Sequence, residues 1–313
     1  MKEFIKKVLQ IRLVLLCYMS DFKRSVRYSL SAIKNTKLHL QARIILNLHS
    51  LEKGLSFKNR KEGWGGEKAY NLAVLVDKYN KTYGVDEISI NAINVLNEYL
   101  KDSSSSKNDR FVDFIKKELS TNDTIKDGIG GVKKVSKPSF SISYDQVRDF
   151  FASRRSVRDF SNSEITVEEV NNALEIASTT PTACNRQAQR VYSFSDKSKI
   201  KSILENQLGD QGWCLKANKM FVITSSVSFY NGTFERHQAL VDGGLYAMNF
   251  VMGLHAQRIA TCFKMYVRKP SIDREFRKLC NIPKDEDPVV LVLAGHYPLE
   301  EIQVPYSYRF KEK

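Results

Sequence analysis

The sequence predicts a helical N-terminal region followed by a domain of mixed helices and strands, of the α+β or α/β class. Residues 1–120 carry apolar side chains at helical spacing. Residues 141–313 instead alternate helical patterns with short apolar runs of strand length. Between them, residues 120–140 are polar and rich in turn-forming residues, which is typical of a domain boundary. We therefore expect one domain at 1–140 and a second at 141–313.

The N-terminal region is predicted to contain several helices after a basic first segment. They are Leu38–Gly54, Glu67–Gly84, Asp86–Leu100 and a short helix at 111–119. Leu40 and Ile44 illustrate the apolar face of the first of these. Gly54 and Gly84 stand at predicted helix ends, where glycine accepts the left-handed backbone of a C-terminal cap. The serine-rich stretch 102–106 is predicted to be a loop.

Residues 1–27 form a basic segment in which Phe4, Val8, Ile11 and Leu15 recur at helical spacing. Residues 1–60 contain 13 Lys or Arg against 3 Asp or Glu, which gives +10 of the formal net charge of +14. Two interpretations are open. The segment is an interfacial helix on an anionic membrane, or it is an amphipathic helix packed on its own domain or on a partner.

The cysteines and histidines favour neither a disulfide framework nor a metal site. The five cysteines are spread along the chain without a C-x-x-C pair, which favours free thiols in a reducing compartment. The histidines show no metal-binding spacing, so no metal is expected. The basic residues alternate with aliphatic rather than stacking aromatic side chains, so nucleic-acid binding is not expected. We expect a cytoplasmic protein, peripheral at the inner membrane face if residues 1–27 bind lipid.

Helix and strand signals alternate in the second half of the chain. Thr166 and Glu169 have the spacing of a capping box and begin a helix, which Pro181 ends. Strands are predicted at 190–194, 220–224 and 288–295. The last of these is apolar on both faces and is therefore expected to be central in a sheet. Residues 237–257 form a helix that is apolar nearly all round, which predicts burial inside the domain or between subunits.

Three arginines lie close together after a pair of phenylalanines. Arg154, Arg155 and Arg158 fall within five residues, with Ser156 among them. The planar guanidinium group offers paired donors that match a phosphate, and a hydroxyl group adds a further donor. This grouping predicts a bound anion, of which the phosphate of a cofactor is a common example.

Amide side chains lie about 25 residues further on. Pro181, Thr182, Asn185 and Gln187 are predicted at the end of a helix, just before a strand. An amide side chain both donates and accepts hydrogen bonds. These residues therefore suit a flat heterocycle whose edge alternates donors and acceptors, such as the pyrimidine ring of a flavin.

Together these stretches resemble the nitroreductase family of flavin mononucleotide (FMN) enzymes. That family carries R-R-S-x-R-x-[FY], which is matched by residues 154–160, and then P-[ST]-x-x-N-x-Q, which is matched by residues 181–187. A buried helix with a D-x-G opening follows in the family, and here it corresponds to Asp242, Gly244 and Asn249. The sequence AGHYP at 294–298 and the later Arg309 complete the pattern. The resemblance covers roughly residues 145–313.

The resemblance implies an α+β domain with a central, mostly antiparallel sheet flanked by helices. It also implies a homodimer with FMN at the subunit interface, held by Arg154, Arg155, Ser156, Arg158, Pro181, Thr182, Asn185, Gln187, Ser307 and Arg309. In that arrangement Arg154 and Arg155 meet the phosphate, Ser156 faces the phosphate or ribityl chain, and Arg158 reaches the ring. Residues 181–185 approach from the partner subunit, and Arg309 with Ser307 returns to the phosphate.

The implied activity is an FMN-dependent oxidoreductase that takes hydride from NADH or NADPH and reduces a small organic acceptor. No particular catalytic side chain is implied. The helical region resembles extensions of nitroreductase-like proteins from bacterial surface-polysaccharide loci. The alternative is therefore a weakly or non-catalytic flavoprotein that serves polysaccharide biosynthesis at the membrane surface.

Two departures from the family pattern stand out. Ala188 follows Gln187, where the family commonly has proline. Residues 258–261 read Arg-Ile-Ala-Thr, where the family has G-L-G-[TS]. Loss of two glycines changes how closely the backbone can approach the flavin, so the acceptor does not follow from the resemblance.

Overall fold

The computed structural model describes residues 1–32, 35–102, 109–120, 130–205, 207–208 and 212–310. The helices are α1 (Lys2–Tyr28), α2 (Lys37–Ser56), α3 (Gly66–Tyr83), α4 (Glu87–Lys101), α5 (Asp109–Ser120), α6 (Tyr144–Ser153), α7 (Val167–Ser178), α8 (Lys197–Leu204), α9 (Gln238–Ala256) and α10 (Pro270–Cys280). The strands are β1 (Gln189–Phe194), β2 (Lys219–Ser226), β3 (Ile259–Lys264) and β4 (Glu286–His296).

A four-stranded sheet forms the centre of the C-terminal part. Its strands are antiparallel and lie in the order β1–β2–β4–β3. Helices α7 and α9 cover one face, where Phe221 and Ile223 of β2 are buried, while α8 and α10 cover the other, where Met220 and Val222 are buried. The alternation follows the two-residue period of a strand. This architecture confirms the predicted α+β class.

The helices before the sheet form an all-helical N-terminal region, as predicted. Helices α2 to α5 share a core of their own, in which Leu40, Leu72 and Leu96 are buried. Helix α2 also contacts the C-terminal part, because Ala42 packs in one cluster with Tyr230. The helical region thus supports the segment that precedes α9.

The C-terminal end of α2 differs from the prediction. Gly54 is not a cap, since the helix continues to Ser56 and is followed by Phe57 in extended conformation. A Cβ atom at residue 54 would lie 2.1 Å from Cζ3 of Trp64, so glycine is needed there for the indole to pack against the helix. Gly84 does follow α3 with a φ of 80°, as predicted for a cap.

In the second half, the predicted strands are present as β1, β2 and β4, whereas β3 was not predicted. The capping box is also present, since Oγ1 of Thr166 accepts a hydrogen bond from the backbone N–H of Glu169 at 3.1 Å. Helix α7 ends at Ser178, shortly before Pro181. Residues 258–261, expected only as a segment near the cofactor, consist of Arg258 and the first three residues of β3.

Helix α9 is buried on most of its surface but not all round. Val241, Leu245 and Met248 form an exposed stripe along one side of it. In the described part of the chain, no helix combines the length and apolar character that crossing a bilayer requires. Residues 103–106 of the loop predicted at 102–106 and residues 121–129 of the predicted boundary lie outside the described residues, so the division into 1–140 and 141–313 stays a prediction.

Candidate cofactor-binding site

The arginine-rich segment runs beside an edge strand of the sheet. Arg154 follows the last residue of α6 with extended backbone. Ser156 forms a parallel bridge with Thr261 of β3, and the backbone N–H of Val157 donates to the carbonyl oxygen of Thr261 at 3.0 Å. The Val157 side chain is fully buried. The buried valine therefore anchors the segment, and the arginines on either side of it lie at the surface.

Among the described residues, Arg155 and Arg158 have only backbone carbonyls and an aromatic ring as partners. Arg155 donates to the carbonyl oxygen of Arg154 at 3.3 Å, and Arg158 donates to that of Ser156 at 3.3 Å. The Arg158 guanidinium also lies 5.4 Å from the ring centroid of Trp213. In the described residues none of the three arginines forms an ion pair, whereas the neighbouring Arg148 is paired with Asp145 at 2.6 Å. This uncompensated positive charge suits an anion.

The titratable neighbours of Arg154 do not offset its charge. Burial lowers the pKa of His255, although a hydrogen bond to the Phe150 carbonyl acts in the opposite direction. Burial also raises the pKa of the Cys262 thiol. Both groups are therefore neutral near pH 7, and the arginines set the local charge. Within the described ranges, no group of three or more metal-ligating side chains is found.

The predicted amide loop is a tight turn with unusual backbone. Gln187 donates its backbone N–H to Oγ1 of Thr182 at 3.1 Å, and Asn185 donates its own to the Thr182 carbonyl at 2.9 Å. Cys184, Asn185 and Gln187 have φ values of 53°, 54° and 49°, the left-handed region. Non-glycine residues adopt this conformation where the surrounding structure enforces it, and such positions cluster at functional sites. Pro181 lies exposed at the start of the turn.

A buried arginine that sequence reasoning did not select holds this turn. Arg186 is 1% exposed. Its Nε donates to the Ala183 carbonyl at 2.8 Å, its Nη1 donates to the Phe229 carbonyl at 2.7 Å, and its Nη2 pairs with Oε1 of Glu235 at 2.5 Å. The guanidinium also lies 4.8 Å from the ring centroid of Tyr230. In the sequence, Arg186 stands at a position of the P-T-x-x-N-x-Q motif that accepts any residue, so the motif itself did not indicate its role.

Asp242, which the sequence analysis named in the D-x-G opening of the buried helix, holds the other side of the turn. Its carboxylate accepts hydrogen bonds from the Ala183 backbone N–H at 2.9 Å, the Tyr230 hydroxyl at 2.9 Å and Nε2 of Gln238 at 2.6 Å. Further along α9, Asn249 donates to Oγ1 of Thr180 at 2.8 Å. Asp242 and Asn249 of α9 therefore both fix the chain between α7 and β1.

The structure does not bring the two motifs together within one chain. The amide loop contacts Asp242 near the beginning of α9, whereas Ser153 contacts His255 near its end, with an Oγ–Nε2 distance of 2.8 Å. Thirteen residues of helix at about 1.5 Å each separate these contacts by roughly 20 Å. Arg154 and Asn185 of a single chain are thus at opposite ends of one helix.

Ser307 and Arg309, the two C-terminal residues predicted to bind the phosphate, lie in an extended tail after β4. Ile302 and Val304 pack against the core cluster that contains Val157. Beyond them, Ser307 has a φ of 55° and donates to the Pro305 carbonyl at 3.3 Å. Arg309 is exposed. The tail therefore begins beneath the arginine-rich segment, and its last described residues extend into solvent.

Arg258 and Ala188, two of the residues that depart from the family pattern, differ in conformation and burial. Arg258, which stands where the family has its first glycine, has a φ of 60° and an exposed side chain. Ala188 is fully buried, and its carbonyl accepts a hydrogen bond from the Ser226 backbone N–H at 2.9 Å.

Residues 151–211 and 202–296 match the family model described as the Nitroreductase family. The matched span is just under half of the chain. It includes the arginine-rich segment, the amide loop and α9, and it excludes Ser307 and Arg309.

Solved structures similar to the chain carry related descriptions. An FMN-dependent nitroreductase from Clostridium difficile is 17% identical, with 50% of this chain and 91% of that chain covered and a TM-score of 0.42. A nitroreductase with bound FMN from Desulfitobacterium hafniense is 22% identical, with coverages of 53% and 97% and a TM-score of 0.40. A nitroreductase family protein from Clostridium novyi is 14% identical, with coverages of 49% and 85% and a TM-score of 0.43.

The comparison with curated proteins gives no match. The description of the family model does not refer to polysaccharide biosynthesis, so it gives no support to the alternative of a polysaccharide accessory.

The side chains at the two motifs fit the chemistry of FMN. Three guanidinium groups that have no carboxylate partner in the described part of the chain, with the hydroxyl of Ser156, suit a phosphate, which carries up to two negative charges. The exposed amide side chains of Asn185 and Gln187 can both donate to and accept from a heterocycle. The separation of the two motifs means that one chain alone does not surround a single cofactor.

Proposed function

We propose that this protein is an FMN-dependent oxidoreductase of the nitroreductase family, which takes hydride from NADH or NADPH and reduces a small organic acceptor. One observation carries the proposal. The guanidinium groups of Arg154, Arg155 and Arg158 have no carboxylate partner in the described residues, on a segment anchored to β3 inside the span that the family model matches. Bound FMN supplies the acceptance and donation of hydride, and no single side chain is assigned as catalytic.

The protein's own residues bind and orient the cofactor. Arg154 and Arg155, with Ser156 and the C-terminal Arg309 and Ser307, hold the phosphate. Arg158 places positive charge at the ring, where negative charge develops during reduction. Pro181, Thr182, Asn185 and Gln187 face the ring from the other subunit. The network around Arg186 and Asp242 fixes the shape of that loop.

The roughly 20 Å between the motifs and the exposed stripe of α9 support a homodimer. Val241, Leu245 and Met248 would be covered in a dimer, and each site would then combine the arginines of one subunit with the amide loop of the other. We place the enzyme in the cytoplasm, where its free cysteines stay reduced.

The test compares FMN with riboflavin, which lacks the phosphate. Charge-assisted hydrogen bonds contribute about 1.5–3 kcal/mol each, so Arg154→Ala should weaken FMN roughly 10- to 100-fold. Riboflavin affinity should change little. Fluorescence quenching titrations on the apoprotein measure both. Arg148→Ala is the matched control, because that arginine is already paired with Asp145.

Equal weakening of FMN and riboflavin by Arg154→Ala would show that this arginine does not hold the phosphate. A protein that is purified colourless and cannot be reconstituted with FMN would overturn the whole proposal. Bleaching of the bound flavin by NADH or NADPH in stopped flow tests the electron donor separately.

A further inference from the structure

Helix α1 carries an apolar stripe that the rest of the described chain leaves exposed. Phe4, Val8, Ile11, Leu15, Tyr18 and Phe22 follow one another at spacings of four and three residues. At about 100° per residue, these positions fall within an arc of about 80° on one side of the helix. Their exposed fractions range from 48% at Val8 to 71% at Phe4 and Tyr18.

The helix is attached to the body of the protein at its C-terminal end. Arg24 pairs with Asp273 at 2.9 Å and with Asp287 at 3.3 Å. Ser29, just after the helix, is buried. Residues 3–16 are all exposed, by contrast. The interpretation that this segment packs on its own domain therefore holds only for its last turns.

Positive charge borders the stripe. Residues 1–27 contain seven Lys or Arg and two Asp or Glu. Lys7 lies beside one edge of the stripe and Arg12 beside the other, at 100° per residue. The acidic Glu3 and Asp21 lie further round the helix, on the side of Lys7. Basic residues beside an apolar face are typical of a helix that lies on an anionic membrane.

We propose that the stripe of α1 is a docking surface for an anionic lipid bilayer, with the helix parallel to the membrane plane. From Phe4 to Phe22 the stripe is roughly 27 Å long at 1.5 Å per residue. The apolar side chains enter the acyl boundary, while Lys7 and Arg12 meet the phosphates of the headgroups. This inference does not depend on the flavin site.

Charge disfavours a second copy of the chain as the occupant of the stripe. The four-three spacing is also that of a coiled-coil seam. In a parallel pair of such helices, Lys7 of one would face Arg12 of the other at the flanking positions, and this like-charge contact opposes pairing. An anionic bilayer instead complements both residues.

Co-sedimentation of the full-length holoprotein with vesicles tests the proposal. Vesicles of phosphatidylcholine alone are compared with vesicles of equal parts phosphatidylcholine and phosphatidylglycerol. We expect binding to the anionic vesicles and a decrease as salt is raised. Replacing Lys7 or Arg12 by Gln should weaken it about fivefold each, since one basic residue near the surface is worth about 1 kcal/mol.

Leu15→Asp and Leu13→Asp form a matched pair, because Leu13 lies on the far side of the helix. Both variants add one negative charge, so only the additional loss of vesicle affinity in Leu15→Asp measures the contribution of the stripe. That excess should exceed about tenfold. Equal losses in the two variants, or equal binding to both vesicle types, would overturn the proposal. So would a lower molar mass of Leu15→Asp without vesicles in light scattering, which would assign the stripe to a protein interface. Flavin content, measured on the same samples, reports the proposed function independently.

Discussion

Arg186 and Glu235 form a two-pronged ion pair that ties the amide loop to the segment before α9. Nη2 of Arg186 lies 2.5 Å from Oε1 of Glu235, and Nη1 lies 2.9 Å from Oε2. Arg186 is 1% exposed, and the Glu235 side chain is 26% exposed. Because Arg186 also binds the carbonyls of Ala183 and Phe229, one guanidinium connects the loop, the segment and the carboxylate.

Replacing Arg186 by Met should destabilise the protein by about 3–5 kcal/mol, because it removes the charged partner of Glu235 and a side-chain donor from the carbonyls of Ala183 and Phe229. Urea unfolding of the apoprotein measures this change. The exposed Arg236, on the same segment as Glu235, is the control, and Arg236→Ala should change stability by less than about 0.5 kcal/mol. Similar small changes in both variants would show that the ion pair does not hold the loop.

The same ion pair predicts a pH dependence. The hydrogen bond from Arg186 lowers the pKa of Glu235 below its ordinary value of 4.5, against the opposing effect of burial. A lowered carboxyl pKa adds stability above the ordinary value, and that stability is lost as pH falls through the lowered value. Glu235→Gln should therefore be clearly less stable than the wild type at pH 7, and the gap should narrow below pH 4.5. Urea unfolding of both proteins across this pH range measures the difference in their free energies of unfolding. A difference that is constant with pH would contradict the prediction.

The sequence predicted the parts of this molecule whose determinants are local. Strands β2 and β4 contain apolar runs, β1 carries Val191, Tyr192 and Phe194 among polar residues, and the residues of the arginine and amide motifs are neighbours in the chain. Strand β3 was not predicted, although Ile259–Lys264 is as long as β1 and contains more apolar residues, because its first residues were interpreted only by their place in the family pattern. Its identity as a strand depends on pairing with β4.

The role of Arg186 could not be predicted, because its burial depends on Glu235, which lies 49 residues away in sequence. The resemblance implied that the two motifs of one chain serve different cofactor sites, but the residues alone did not, because the separation depends on which part of α9 each motif contacts. Gly54 was correctly placed near the end of a helix but was wrongly predicted to be its C-terminal cap. Its lack of a side chain serves the packing of Trp64, which is a contact between two elements.

Arg258 offers a test of backbone strain beside the site. Its φ of 60° is left-handed, which costs a residue with a Cβ atom about 1–2 kcal/mol. Arg258→Gly should remove that cost and should lose about 0.4–1 kcal/mol through the freer unfolded chain. The net gain is expected to be about 0.5–1 kcal/mol in urea unfolding. Arg258→Ala keeps the Cβ atom and should bring no gain. If it stabilises the protein equally, the effect comes from the charge and not from the backbone.

The last prediction separates the roles of two neighbouring arginines. Arg158 lies 5.4 Å from the Trp213 ring centroid, on the opposite side of the buried Val157 from Arg155. If Arg158 faces the flavin ring, its loss removes about 1.5–3 kcal/mol of stabilisation from the negative charge of reduced FMN. Arg158→Ala should then lower the two-electron potential by roughly 30–60 mV, since 30 mV corresponds to about 1.4 kcal/mol. Arg155→Ala removes the same charge at the phosphate and should weaken FMN binding with little change in potential. Titration against redox dyes decides between the two assignments, because equal shifts would mean that net charge alone sets the potential.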